Sequence, residues 1–448
     1  MLKKILSYGF IEGISKGLNK LTILVLPLFL NTIGYGKIGL LVAIEMIIPV
    51  ITLLGMERAV LRFYSKKQNF KFFNKTVFTS LLWTHLFVFI ILLITRLFGI
   101  HTFFGLNIFP DLFLITILVY FQGTNLVKLN ALRVEEKHKN YFRGRLFIQV
   151  SKFLLVILFV FITKSYLGYL IGAIISASVA NIFLKVNKQN YDREYFSKST
   201  FKTLFLFSWP FVFHGLATNL LGNADKFILE RFMTLNEVGI YTLAYAIGST
   251  ISFAYIGISV FLEPLIYKET NSKKRALLLN KYLFLAISFG LFAYIIISIL
   301  SVYILPQFYS SKYSLAYQYV PYIASAFLLQ PYYFISNYKM IYDKKSLRIA
   351  TISVISATIN IVLNILLIPK YGIYAAVVLT FIAYYLQALL FVLSSNGYKF
   401  NKDIIEVFFV GIVLSVGIIL KLPFYFIAFL IFILLIYTYL IRIKFEKK

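Results

Sequence analysis

Apolar runs of about 20 residues, each ended by a short polar or basic stretch, follow one another along all 448 residues of the chain. A helix of that length, rising about 1.5 Å per residue, crosses the roughly 30 Å hydrocarbon core of a bilayer. The pattern predicts fourteen spans, near 5–30, 38–56, 77–97, 112–132, 146–163, 166–184, 203–229, 238–262, 282–303, 316–338, 347–368, 373–394, 405–420 and 424–442. The expected fold class is therefore an all-α integral membrane protein. Connections at 31–37, 164–165 and 369–372 are too short for a domain, and the longest outer loops, 98–111 and 304–315, hold little chemistry. Function is expected within the membrane.

Distant stretches repeat one another. Gly36-Lys37-Ile38-Gly39-Leu40-Leu41 opens a helical segment that runs to Arg62-Phe63-Tyr64, and Glu237-Val238-Gly239-Ile240-Tyr241 opens one that runs to Leu265-Ile266-Tyr267. Tyr166-Leu167-Gly168-Tyr169-Leu170-Ile171-Gly172-Ala173 is echoed by Lys370-Tyr371-Gly372-Ile373-Tyr374-Ala375-Ala376. Such internal symmetry is the organisation of secondary transporters. It predicts an N-terminal six-helix bundle over 1–190, a second over 191–396 and two further helices over 397–448, with two bundles related by the repeat.

Composition agrees with this picture: 60% of residues are hydrophobic and only 14% charged. A net charge of +28 in a soluble domain would suggest nucleic acid, but here the cations sit in short loops and set topology. With edge residues counted in the loop they adjoin, about 33 lysines and arginines fall on the side of the amino terminus and about seven on the other. Both termini are thus expected in the cytoplasm. The segment Arg133-Val134-Glu135-Glu136-Lys137-His138-Lys139 and the stretch 191–202 are basic and amphipathic, candidates for contact with membrane lipids as well as plain topology signals. Lys3 and Lys4 precede the first span as in a signal sequence, but Glu12, Lys16 and Lys20 inside it and the lack of a small-residue cleavage site mark it as a retained helix. The chain has no cysteine, and its four histidines, at 85, 101, 138 and 214, lack metal-ligand spacing. No Walker loop is present. No metal, cofactor or nucleic acid is expected.

Several stretches, taken in order, resemble the polysaccharide transporter branch of the multidrug/oligosaccharidyl-lipid/polysaccharide exporter superfamily, which includes the O-antigen flippases. They are Gly36-Lys37-Ile38-Gly39, Gly55-Met56-Glu57-Arg58-Ala59-Val60-Leu61-Arg62-Phe63-Tyr64, Ala131-Leu132-Arg133-Val134-Glu135-Glu136-Lys137, Ser208-Trp209-Pro210, Asn223-Ala224-Asp225-Lys226-Phe227-Ile228-Leu229, Glu237-Val238-Gly239-Ile240-Tyr241, and the run from Asn360 through Asn364 and Pro369 to Gly372. The resemblance implies two six-helix bundles facing a central cavity, in a bacterial cell membrane. It also implies movement of an undecaprenyl-pyrophosphate-linked oligosaccharide from the cytoplasmic to the outer leaflet, with a polymerase or ligase as partner machinery and no enzymatic step.

An ionisable side chain inside a span is costly and normally faces a partner or a wet cavity. Glu12, Lys16 and Lys20 recur every four residues on one face of the first span, at depths of about 10, 16 and 22 Å. Lys152 lies about 9 Å in from the same side, and Glu45 about 10 Å from the outer edge. Glu12 with Lys16 or Lys152, and Glu45 with Lys20, are placed to pair. These pairs either glue helices together or leave net positive potential for a pyrophosphate that loses hydration on crossing. Arg58 and Arg62 stand where the second span meets the cytoplasm, as headgroup receivers or as ordinary topology cations. Lys128 is expected to snorkel to the membrane edge. Asp225 and Lys226 fall near the outer end of the seventh span. His214 is a candidate for proton coupling or a neutral histidine bonded to a neighbouring helix. Asn360 and Asn364 share a face and are expected to bond between helices. The competing functions are a drug or cation antiporter of the same fold, a peptidoglycan-precursor flippase, and a membrane glycosyltransferase or polymerase. The last lacks the large outer loop such enzymes carry.

Overall fold

The computed structural model describes residues 2–63, 73–184, 196–343, 345–395, 402–419 and 433. The chain runs through helices α1 (Leu2–Val25), α2 (Thr32–Thr52), α3 (Met56–Phe63), α4 (Phe73–Leu97), α5 (Phe113–Val134), α6 (His138–Thr163), α7 (Leu167–Phe183), α8 (Lys198–Phe232), α9 (Leu235–Gly248), α10 (Ser252–Lys268), α11 (Ser272–Ile299), α12 (Ser314–Phe327), α13 (Gln330–Tyr342), α14 (Ser346–Ser395) and α15 (Lys402–Ile419). A short hairpin interrupts them, β1 (Thr102–Phe103) antiparallel to β2 (Leu106–Asn107), with Thr102 opposite Asn107. The protein is an all-helical, multi-pass membrane protein.

Among the described residues seven helices are long and apolar enough to cross a membrane, or eight if bent α8 counts as one span. That count takes α14 as one helix, but its 50 residues break at Gly372, just beyond Pro369, where the predicted eleventh and twelfth spans meet. α7 is an apolar helix of 17 residues, and α12 and α13, with 14 and 13 residues, together cover the predicted tenth span. α1 carries Glu12, Lys16 and Lys20 among its apolar residues. The predicted fourteenth span lies outside the described residues except for residue 433.

Helix starts also differ from the hydropathy edges, because polar capping residues are invisible to hydropathy. The Asn31 side chain accepts a hydrogen bond from Gly34 N at 2.8 Å, so α2 begins six residues before its predicted span. α6 begins at His138, eight residues early, directly after the turn that ends α5. The basic stretch 133–139 accordingly comprises the end of α5, a tight turn over 135–137 and the start of α6; Lys137 pairs there with Glu135 at 2.6 Å. Of the stretch 191–202, residues 191–195 lie outside the described set, and Ser197 caps α8 through Thr200 N at 3.2 Å.

Contacts divide the chain into two compact units, one of residues 14–239 and one of 1–13 with 240–448. The sequence repeat sets its boundary near residue 190, whereas contacts assign α8 to the first unit. In that unit Leu53, Met56, Val60, Val77, Leu81, Val127 and Leu204 form one buried cluster that seats the amphipathic α3 against α4, α5 and α8. α6 and α7 pack closely because α7 presents Gly168 and Gly172 one turn apart: a β-carbon on either would sit 2.6 Å from a backbone oxygen of α6, Phe159 O or Leu155 O. α8 bends by 44° between Trp209 and Phe211, where Pro210 supplies no backbone N–H. In the second unit Tyr241 and Thr380 share a hydrogen bond at 2.9 Å, and the Tyr255 hydroxyl donates to Phe327 O at 3.0 Å. Phe87, Leu97, Phe161 and Ile182 stand exposed, as lipid-facing side chains do.

Candidate functional site

Glu45 is the hub of the first unit. Its Oε1 accepts from Lys152 Nζ at 2.7 Å and from Gln122 Nε2 at 2.6 Å, and its Oε2 accepts from the Tyr169 hydroxyl. One carboxylate thus ties α2 to α5, α6 and α7. Both charged side chains are about a tenth exposed, 10% for Lys152 and 11% for Glu45. Depth along the predicted spans matches Glu45 with Lys20 and Lys152 with Glu12; the structure pairs Glu45 with Lys152 instead. The earlier start of α2 explains this. Counted from Thr32, Glu45 is about 20 Å into α2, and Lys152 is about 17 Å from the opposite-running end of α6 at Thr163, so the two share a level.

Beside this pair is a cavity of about 250 Å³, to which Asn19, Gln122, Arg145, Gln149, Lys152 and Ser176 contribute polar groups. Ser176 and Ser151 exchange a hydrogen bond at 2.7 Å along the α6–α7 seam. The Asn125 amide donates to Ala177 O at 2.9 Å, which fixes the α5 wall.

On α1, Lys16 is exposed, while Glu12 and Lys20 are half-buried. Lys20 is within electrostatic reach of Lys226 on α8. Lys226 Nζ donates to Asn223 Oδ1 at 2.8 Å, and the buried Asp225 carboxylate accepts from Lys226 N at 2.8 Å. Arg58, on α3, lies over the Phe211 ring at 4.6 Å and near Glu57 at 3.8 Å. Arg62 is on α3 with its side chain outside the described set. Contacts group Glu12 with the second unit, and the structure gathers Glu45, Lys152, Lys20, Lys226, Asp225 and Arg58 in the first.

Residues 1–269, more than half the chain, match the family described as polysaccharide biosynthesis protein. The chain belongs to the polysaccharide biosynthesis protein family. Its fold is similar to those of a lipid flippase and of multidrug transporters of solved structure. It is similar to lipid II flippase MurJ in an inward closed conformation, with a TM-score of 0.69 at 16% identity over 95% of this chain and 98% of that one. An inward-facing multidrug resistance MATE transporter gives a TM-score of 0.65 at 13% identity, covering 86% and 94%. The MATE multidrug transporter DinF-BH gives 0.59 at 16% identity, covering 91% and 96%. No curated protein matches the chain by sequence.

The structure adds surroundings to His214, Lys128, Asn360 and Asn364 in this family member. His214 is half-buried on α8, and its Nδ1 is buried without a hydrogen-bond partner among the described residues. The Lys128 ammonium donates to Asn181 O at 2.7 Å and to Asn181 Oδ1 at 3.0 Å, in the last turn of α7, whose carbonyl end attracts a cation. Asn360 and Asn364 are buried and share a face, but only Asn360 reaches across, to Leu379 O at 3.4 Å beyond the α14 bend. Asn364 donates to Asn360 O at 2.9 Å within its own helix.

Sequence reasoning misses Tyr169, Arg145 and Gln149. Tyr169 stands inside the repeated Tyr166 to Ala173 motif, so the signal is present. Arg145 counts as a loop cation when the predicted span begins one residue after it, whereas it lies about 10 Å into α6.

Proposed function

We propose that this protein is a flippase that moves a polyprenyl-pyrophosphate-linked oligosaccharide, a repeat unit of O-antigen or another surface polysaccharide, from the cytoplasmic to the outer leaflet. The observation that carries this reading is the set of cations held inside the first unit, Lys20, Arg145, Lys152 and Lys226, in a member of a polysaccharide biosynthesis family. A pyrophosphate leaving water needs such compensation, and lysine and arginine supply it without the geometry of an enzyme site. The likeness in fold to a lipid II flippase supports a lipid-linked substrate. The full architecture in this proposal is fourteen spans as two six-helix bundles with two appended helices, both termini cytoplasmic, working by alternating access, with no cofactor. A polymerase or ligase receives the product.

Deletion in the host, followed by mass analysis of polyprenyl-linked glycans, tests the proposal. Accumulation of a complete oligosaccharide on its pyrophosphate carrier, with loss of surface polymer, is the expected result. A normal lipid-linked pool with raised sensitivity to cationic drugs would favour a drug antiporter instead, the reading that the MATE fold supports. Accumulation of a peptidoglycan precursor would assign the other lipid substrate.

A further inference from the structure

Arg145, Gln149 and Lys152 stand on α6 at i, i+4 and i+7 and so project from one face of the helix. All three line the cavity of about 250 Å³. Exposure falls along the helix, from Lys139 and Arg143, which are exposed, through half-buried Arg145 to buried Lys152. Gln149 Oε1 is buried without a hydrogen-bond partner among the described residues, and its amide can turn to present N–H groups to the cavity. Among the described residues, Glu45 is the only carboxylate on a wall that carries two cations. The cavity is smaller than the roughly 300–1,000 Å³ that encloses a drug-sized ligand and has room for several waters of about 30 Å³ each. Its size suits a phosphate-bearing headgroup and not a glycan.

We infer that this face of α6 is a pyrophosphate-binding site, in which Arg145 and Lys152 hold the oxyanion and Lys152 exchanges Glu45 for it. The inference rests on the proposed transport of a pyrophosphate-linked lipid. Arginine offers an oxyanion two parallel N–H donors. Loss of the ammonium costs Glu45 its charged partner but leaves it two neutral donors, Gln122 Nε2 on Oε1 and the Tyr169 hydroxyl on Oε2, and the new contact of Lys152 with the oxyanion offsets that cost. Binding would then untie α2 from α6 at this level, coupling the headgroup to helix movement.

The test uses the full-length protein in phosphatidylcholine nanodiscs and measures dissociation constants for inorganic phosphate, inorganic pyrophosphate and farnesyl pyrophosphate. The expected order is pyrophosphate and farnesyl pyrophosphate tighter than phosphate. Arg145→Gln should weaken pyrophosphate about tenfold, the scale of one lost charge-assisted hydrogen bond. Glu45→Gln, which removes the competing carboxylate but keeps the side-chain shape, should tighten it several-fold. Equal constants in wild type and both variants would overturn the site, and weaker binding in Glu45→Gln would overturn the exchange. Full competition by phosphatidylglycerol in the disc would overturn the pyrophosphate assignment in favour of a bulk lipid headgroup. If the deletion strain accumulates the lipid-linked oligosaccharide while the variants bind normally, the site fails and the flippase stands. If the variants behave as expected without accumulation, the site stands and the flippase reading fails.

Discussion

Gly36 and Gly239 meet where neither helix leaves room for a side chain. A β-carbon on Gly36 would lie 3.1 Å from Gly239 N, and one on Gly239 would lie 3.2 Å from Gly36 N. Each would also overlap a backbone oxygen, Leu235 O for the first and Thr32 O for the second. The two glycines belong to the pair of sequence stretches that repeat each other, so the repeated motif serves helix contact.

Alanine at either position therefore forces α2 away from the start of α9. Overpacking of this kind costs about 1–3 kcal/mol. Gly36→Ala and Gly239→Ala are expected to lower the melting midpoint of the detergent-solubilised protein by several degrees, and Gly36→Val by more. Midpoints equal to wild type in both alanine variants would show that the contact is looser than described.

The Glu45–Lys152 pair predicts non-additive mutations. Removing the lysine alone leaves a buried carboxylate with only neutral donors, at a cost on the order of 3 kcal/mol. Lys152→Met should therefore destabilise strongly, Glu45→Gln less, and the double variant less than the sum of the two. A thermal double-mutant cycle with no coupling energy would mean that the ammonium and carboxylate do not stabilise each other.

Hydropathy locates apolar runs and misplaces what depends on caps. Glu45 and Lys152 are both legible in the sequence as intramembrane charges, but their partnership is not, because Asn31 starts α2 six residues early and so moves Glu45 by nearly two turns. Lys128 reads as a membrane-edge residue because its partner, Asn181, is a neighbour only after α5 and α7 pack. The Gly372 break, by contrast, is legible, because Pro369, Lys370 and Gly372 interrupt the apolar run there. The charge class of the site is thus legible in one dimension, and its pairings are not.

Glu57, on α3 between membrane spans, predicts a dependence on pH. Burial pushes its carboxyl above the usual range, opposed by its own backbone N–H and by Arg58. Its Oε2 has no hydrogen-bond partner among the described residues. A carboxyl whose folded-state value is raised disfavours the charged form in the fold, so this group's contribution is best in acid and worsens as pH rises from the unfolded value through the folded one. Glu57→Gln is expected to raise the melting midpoint at neutral pH, with the gain vanishing as pH falls. A gain that persists unchanged in acid would assign the effect to packing.

Lys20 and Lys226 test whether the intramembrane cations carry substrate or merely join helices. Lys226 acts on Lys20 through space, and bringing two like charges together inside a membrane protein is unfavourable unless anions compensate them. A passing pyrophosphate would add to that compensation, whereas a purely structural role would make neutral side chains equal or better. Lys20→Gln and Lys226→Gln are therefore expected to reduce surface polysaccharide severalfold at matched protein abundance, with Lys16→Gln, at an exposed position, having a smaller effect. Surface polymer at wild-type level in both Lys20→Gln and Lys226→Gln, with melting midpoints at or above wild type, would show that these two cations take no part in transport.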